Sequence, residues 1–167
     1  MVRFIAVFVV VLIGLFGLEM IKPVHELVIE PFAGWLAWVS AAIIIPFDDS
    51  ILAYGKVLQH GNSGFAVSIE SGCNGVEATI VLVAAVIAFP APWLYRLTAI
   101  VLGALAIQFL NIIRIISLFY LGQWDIDMFS WVHLYLWPVL IMLDVLFVFI
   151  IYLRFLSSND AELELET

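Results

Sequence analysis

The only cysteine of the chain, Cys73, lies in the segment ESGCNGVEA (residues 70–78), between two glycines and just before a long apolar run. With no second cysteine an intrachain disulfide is impossible, so the thiol is a packing residue, a ligand or a nucleophile. Asn74 and Glu77 have the spacing of a helix N-cap and its N3 partner, which predicts a helix that begins beside the thiol. Because the positive end of a helix dipole lowers the pKa of a nearby thiol, this position favours a nucleophilic thiolate.

Two more ionisable residues, Arg114 and His133, lie within later apolar runs, where a charge at the bilayer centre costs about 3 kcal/mol. An up-and-down arrangement of helices brings both to the level of Cys73. There His133 could exchange a proton with the thiol or a leaving group, and Arg114 could bind a developing oxyanion. Gln108 and Asn111 precede Arg114 at three-residue spacing, which predicts a polar stripe toward the bundle interior.

Each of these residues also has an ordinary structural explanation. A lone Cys in a membrane helix is commonly a small packing residue, an Arg near a helix end commonly snorkels to the headgroups, and a His among aromatic residues commonly belongs to an interfacial belt. Glu77 is interpreted as a cap, and Asp144, deeper in the last run, as a structural hydrogen-bonding residue. The conjunction of Cys73, Arg114 and His133 at one depth is what favours chemistry.

Composition restricts the class of protein that must position these residues. Of the 167 residues, 65% are hydrophobic and only 12% are charged, which predicts an integral membrane protein in contact with the lipid bilayer. The formal net charge is −8, and the six basic residues are scattered along the chain. Nucleic acid is therefore excluded as a partner, because binding phosphates requires clustered Lys and Arg.

The apolar runs predict an all-α polytopic membrane protein, a four-helix transmembrane bundle forming a single domain over residues 1–155. A span needs roughly 20 apolar residues, and four runs are suitable: 4–20, 75–90, 93–120 and 130–155. The segment 31–46 is bracketed by prolines and is interpreted as an interfacial or re-entrant helix. Residues 51–70, with HGNSG at their centre, predict a short extracytoplasmic β-hairpin. Residues 156–167 form an acidic tail, predicted to be cytoplasmic.

The distribution of charge predicts the orientation. If the segment 31–46 does not cross, Arg3, Arg96 and Arg154 share one side, and nearly all acidic loop residues lie on the other. This is the positive-inside pattern with both termini cytoplasmic. If the segment does cross, Arg3 moves to the outside, so we prefer four spans.

The motifs SGCNGVEA and NIIRI, followed by His133 at the start of the last span, resemble the exosortase/archaeosortase family of membrane transpeptidases. The likeness covers residues 70–150, and the short chain resembles the small exosortase H branch. The resemblance implies a cysteine-type transpeptidase or endopeptidase with Cys73 as nucleophile, Arg114 as oxyanion or thiolate partner and His133 as acid and base. Asn74, Glu77, Gln108 and Asn111 would support them, and no cofactor is implied.

The resemblance also implies a substrate and a location. The substrates would be membrane-anchored exported proteins that end in a sorting tail made of a short motif, one transmembrane helix and a basic cluster. Cys73 would form a thioester with the carbonyl just outside that helix, and an acceptor of unknown identity would resolve it. The enzyme would lie in the bacterial inner (cytoplasmic) membrane with its active site on the extracytoplasmic side.

Two other classes of function remain open. A non-enzymatic membrane assembly or transport subunit would use the same spans with Cys73 as a packing residue. A small metal-binding membrane protein would use Cys73, His133 and Glu77 as ligands, but these three lack the paired spacing typical of such sites. No metal site is therefore predicted.

Overall fold

The computed structural model describes the backbone of residues 2–165 and the side chains of residues 2–156. Helices dominate it, and a small antiparallel sheet lies at one end, which we call the sheet end. The helices are α1 (Val2–Glu19), α2 (Lys22–Val24), α3 (Glu30–Ile44), α4 (Val76–Ala88), α5 (Trp93–Trp124), α6 (Ile126–Trp131) and α7 (Trp137–Leu165), and the strands are β1 (Ile51–Tyr54), β2 (Val57–His60) and β3 (Ala66–Ser68).

Four helical stretches are long and apolar enough to cross a membrane: Val2–Glu19, Lys22–Ile44, Trp93–Trp124 and Ile126–Leu156. The prediction of an all-α polytopic membrane protein is therefore confirmed. These four stretches are not all the same as the four predicted spans. Helix α4, predicted over 75–90, has only 13 residues, because Pro90 and Pro92 follow it and cannot continue a helix. At 1.5 Å per residue it is about 20 Å long, shorter than a typical hydrocarbon core.

Helix α4 is the centre of the bundle, in contact with α1, α5 and α7. Leu82 and Val86 of α4 are fully buried against Ile107 of α5 and Val145 of α7. Gly103 lets α5 approach closely, since a Cβ at this position would lie 2.4 Å from a Leu82 methyl group. Small residues at such crossings allow close helix packing in membranes.

The segment predicted as an interfacial helix, 31–46, belongs to a longer helical stretch, Lys22–Ile44, which includes a π-helical turn at His25–Ile29. Its buried face packs on the sheet and on the sheet end of α5, with Leu36 and Ala37 in one cluster with Leu58 and Phe119. This cluster lies at the sheet end, while the stretch is long and apolar enough to cross a membrane. That this stretch does not cross stays a prediction.

The predicted hairpin is a three-stranded antiparallel meander in the order β1-β2-β3. The segment HGNSG joins β2 to β3, whereas β1 and β2 are joined at Gly55, whose φ of 51° suits a tight turn. The hairpin prediction was therefore wrong in strand number. The second turn, YGKV, has no clear signal in the sequence, because apolar and polar residues alternate only weakly on both sides of it.

The last helical stretch begins four residues earlier than predicted, at Ile126. Asp125 caps it, with its Oδ1 accepting hydrogen bonds from the backbone N–H groups of Asp127 and Met128 at 2.9 Å each. A π-helical turn follows at Val132–Leu136. Helix α7 then continues to Leu165, through most of the predicted acidic tail, whose side chains from residue 157 onward lie outside the described part.

Candidate active site

The loop before α4 holds Cys73 between two glycines with left-handed backbone conformations, Gly72 at φ 83° and Gly75 at φ 75°. Gly75, and not Asn74, is the N-cap of α4. The Asn74 Oδ1 instead accepts from the Val76 backbone N–H at 3.0 Å, and the Glu77 carboxylate accepts from the Gly72 backbone N–H. The predicted capping box is therefore wrong, because the αL turn at Gly75 moves Asn74 out of the cap position.

Arg114, from α5, reaches this loop with both ends of its guanidinium fork. Its Nη1 donates to the Gly72 carbonyl oxygen at 3.0 Å, and its Nη2 lies 3.5 Å from the Cys73 sulfur. The residue is only 5% exposed, so it does not snorkel to a surface. A planar guanidinium with two donors fixed by one loop is the geometry of an anion-stabilising group.

His133 approaches the sulfur from the opposite element, with its Nε2 3.8 Å from the Cys73 Sγ. The imidazole stacks on Phe129 four residues earlier, with ring centroids 5.6 Å apart and an interplanar angle of 6°. It lies in the π-helical turn of residues 132–136, and such turns occur frequently at functional sites. Cys73, Arg114 and His133 are thus brought together, as the sequence predicted.

Two further polar residues of α5, Gln108 and Asn111, lie on the same side of the helix as Arg114. Asn111 is fully buried, and its Nδ2 donates to the Gln108 Oε1 at 3.5 Å. A Cβ at Gly75 would lie 2.8 Å from the Gln108 amide nitrogen, so the stripe packs against the start of α4. Gln108 thus contacts the start of α4 beside the Cys73 loop, and Asn111 is hydrogen-bonded to Gln108.

A pocket of about 390 Å³ opens beside the three residues, within the range of roughly 300–1,000 Å³ typical of ligand sites. Cys73, Arg114 and His133 are among the residues that line it. Its walls are the segment 65–71, including all of β3, and an apolar surface from α5 and α6 formed by Ile115, Leu118, Ile126 and Phe129.

Burial raises the pKa of the Cys73 thiol above its usual value near 9, and the carboxylates of Glu77 and Glu70 raise it further. The positive charge of Arg114 opposes this shift but does not overcome it. The expectation of a lowered pKa is therefore wrong: a buried thiolate is disfavoured by desolvation. The raised pKa favours the protonated form of the sulfur in the resting site.

Several residues of the site were not predicted from the sequence. The carbonyl of Gly72 holds the Arg114 guanidinium, while Phe129, whose ring stacks on His133, and the strand β3 line the pocket. Phe129 could have been found, since it lies four residues before His133 on one helical face. The contribution of β3 depends on long-range packing and has no local signal.

Four of the eight buried polar side-chain atoms that lack a hydrogen-bond partner in the described part of the chain belong to predicted site residues: Asn74 Nδ2, Asn111 Oδ1, Arg114 Nε and His133 Nδ1. Such atoms are uncommon in native proteins, and a catalytic role is one reason for them. Among the described residues, no group of three or more His, Cys, Asp or Glu side chains is placed to hold a metal ion. The arrangement is suited to nucleophilic acyl transfer.

The fold and the site together define a polytopic membrane protein with a Cys/Arg/His centre at one end of its bundle. A family model described as transmembrane exosortase matches residues 2–152, so the chain belongs to the transmembrane exosortase family. No curated protein and no solved structure matched the chain. The predicted family is confirmed, and the likeness to the small exosortase H branch stays a prediction.

Proposed function

We propose that the chain is a membrane-embedded cysteine transpeptidase that cleaves the C-terminal sorting tails of exported proteins and transfers them to an acceptor. Family membership supports a transpeptidase or sorting role at the membrane. The observation that carries the finer proposal is the placement of Arg114 Nη2 at 3.5 Å and His133 Nε2 at 3.8 Å from one sulfur. These three side chains come from three separate elements and converge on one pocket.

In the proposed reaction, His133 Nε2 removes the thiol proton as the Cys73 sulfur attacks the carbonyl carbon of the scissile peptide bond. The carbonyl oxygen becomes an oxyanion that Arg114 stabilises. The C–N bond then breaks, His133 returns the proton to the leaving amine, and a thioester remains on Cys73. A second nucleophile gives a proton to His133 and attacks the thioester carbonyl, the C–S bond breaks, and the leaving sulfur takes the proton back from His133.

A neutral resting thiol requires a general base, which explains why His133 is needed beside Arg114 in this mechanism. The substrate tail of the proposal has a short motif, a transmembrane helix and a basic cluster, and the scissile bond lies just outside the helix. The proposed location is the bacterial inner membrane, with Cys73 on the extracytoplasmic side. The charge asymmetry of the loops supports this orientation.

The experiment that tests the proposal uses the chain reconstituted in vesicles with a tailed substrate. Cys73→Ala should abolish cleavage while insertion and thermal stability stay normal. Mass spectrometry of the native enzyme should detect a substrate adduct on Cys73 that hydroxylamine releases, as expected for a thioester. Cleavage retained by Cys73→Ala would instead favour a non-enzymatic subunit in which Cys73 is a packing residue.

A further inference from the structure

Strand β3 is an edge of the sheet, and its free side borders the pocket that contains Cys73. Its pairing with β2 fixes which backbone groups are free. Phe65 O accepts from His60 N–H, and Ile69 N–H donates to Lys56 O. In an antiparallel ladder the hydrogen-bonded pairs alternate, so within β3 it is Val67, opposite Leu58, that directs its N–H and C=O toward β2.

Ala66 and Ser68 therefore direct their N–H and C=O groups away from β2, toward the free edge. Both residues are exposed, and no hydrogen bond to these four backbone groups is found in the described part of the chain. Proteins usually protect such an edge by covering, bending or charging it. Here the opposite wall of the pocket is apolar, formed by Ile115, Leu118, Ile126 and Phe129.

We infer that the free edge of β3 binds the substrate as an added strand, so that Ala66 and Ser68 hold the residues immediately before the scissile bond. This inference rests on the proposed function and identifies how that site recognises its substrate. The occupant is an extended peptide whose alternate side chains contact the apolar wall of α5 and α6. Backbone hydrogen bonds supply affinity, and the wall supplies selectivity.

The direction of the peptide follows from the position of the sulfur. Strand β3 runs from Ala66 through Ser68 toward Cys73, so residues upstream of a carbonyl at Cys73 must run parallel to β3. In this register the peptide brings its cleaved carbonyl to the Cys73 sulfur, which Arg114 Nη2 and His133 Nε2 approach to 3.5 Å and 3.8 Å. A strand held at two points also fixes the reacting carbonyl, which raises the rate of attack.

The chain offers a matched pair of variants for the test. Ala66→Pro removes an outward N–H from the β3 edge without removing a bond of the β2–β3 ladder. Ala53→Pro does the same on the opposite edge, because the β1–β2 register makes Ala53 outward-facing on β1. Both alanines are exposed, and edge strands tolerate Pro at outward positions.

With a tailed substrate, Ala66→Pro should lower kcat/KM at least about tenfold, while Ala53→Pro stays within about twofold of the native enzyme. Alkylation of Cys73 by iodoacetamide should be unchanged in both, since that reagent does not need the strand. Replacing successive upstream amides of the substrate by esters should weaken cleavage at every second position, the period of a strand, and this measurement does not depend on the folding of any variant.

Three outcomes separate the hypotheses. Equal kcat/KM in Ala66→Pro and Ala53→Pro, together with an ester scan that shows no alternation, would overturn the strand inference and leave the proposed function intact. A selective loss in Ala66→Pro with an alternating ester scan would support it. Absence of any Cys73-dependent cleavage by the native enzyme would overturn the proposed function and this inference with it.

Discussion

Replacing Arg114 by Lys separates a catalytic guanidinium from a charge that only anchors a helix. The native side chain spans two acceptors, the Gly72 carbonyl at 3.0 Å and the Cys73 sulfur at 3.5 Å. A lysine ammonium is a single point charge and cannot occupy both positions of the fork. The ammonium either donates to the Gly72 carbonyl and loses contact with the sulfur, or contacts the sulfur and leaves the Gly72 carbonyl without a partner.

The size of the effect follows from which interaction is lost. The bond to Gly72 exists in the resting site, and its loss costs about 0.5–1.5 kcal/mol of stability. The donor facing the sulfur acts on charge that develops during the reaction, and removing such a donor costs about 10²–10³ in rate, or roughly 3–4 kcal/mol. We therefore expect Arg114→Lys to insert normally and to acylate at least about a hundredfold more slowly.

The assay is single-turnover formation of the Cys73 adduct in vesicles, so that release of product does not mask the chemical step. Arg154→Lys is the matched control, because Arg154 is exposed and lies far along α7. Its rate should equal that of the native enzyme. A rate for Arg114→Lys within about threefold of the native value would refute the assignment and return Arg114 to a structural role.

Three other predictions follow from the Cys73 loop. Gly75→Ala should lower the free energy of unfolding by about 1–2 kcal/mol, because an L-residue at φ 75° is strained and its Cβ would meet Gln108. A thermal-shift assay in detergent measures this loss of stability. The rate of alkylation of Cys73 by a neutral reagent should rise about tenfold per pH unit from pH 7 to 8.5, since a raised pKa keeps the thiol protonated over this range. Glu77→Gln should increase this rate at pH 7, because it removes a charge that raises the pKa of the thiol. An impermeant thiol reagent should label Cys73 from outside intact cells, while a reporter fused after residue 167 stays cytoplasmic; an external reporter would contradict the four-span orientation.

The helices were predictable because long apolar runs leave the backbone few alternatives in a membrane. The ends of the helices were less predictable. Helix α4 ends before Pro90 and Pro92, whereas the helical stretch Lys22–Ile44 continues through Pro23 and Pro31 without a break. Pro23 lies in the first turn of this stretch, where proline is tolerated. Pro31 lies inside it, directly after the π-helical turn at His25–Ile29, and such a local change of helix geometry accommodates proline within a membrane helix.

The three reactive side chains were predictable because an ionisable residue in an apolar run is costly and needs a reason. The local conformation around Cys73 was not. The left-handed Gly75 leaves no space for a Cβ beside Gln108, and the Glu77 carboxylate turns back to the Gly72 N–H. Hydrophobic periodicity reports neither feature. The pKa of the thiol depends on how far the finished pocket excludes water, a property of the whole fold.

A raised thiol pKa is consistent with a nucleophile when the neighbouring cation is considered. Because burial raises the pKa of the thiol and so favours the neutral sulfur, the interaction of the sulfur with Arg114 is weak before the reaction and strengthens as negative charge forms on sulfur and oxygen. Only interactions that are stronger in the transition state accelerate a reaction, and exclusion of water increases this difference. The nearby carboxylates do not neutralise Arg114, because Glu70 pairs with Lys56 and Glu77 binds the Gly72 N–H. No described carboxylate lies within salt-bridge distance of Arg114. Its free charge is therefore available to the reacting groups.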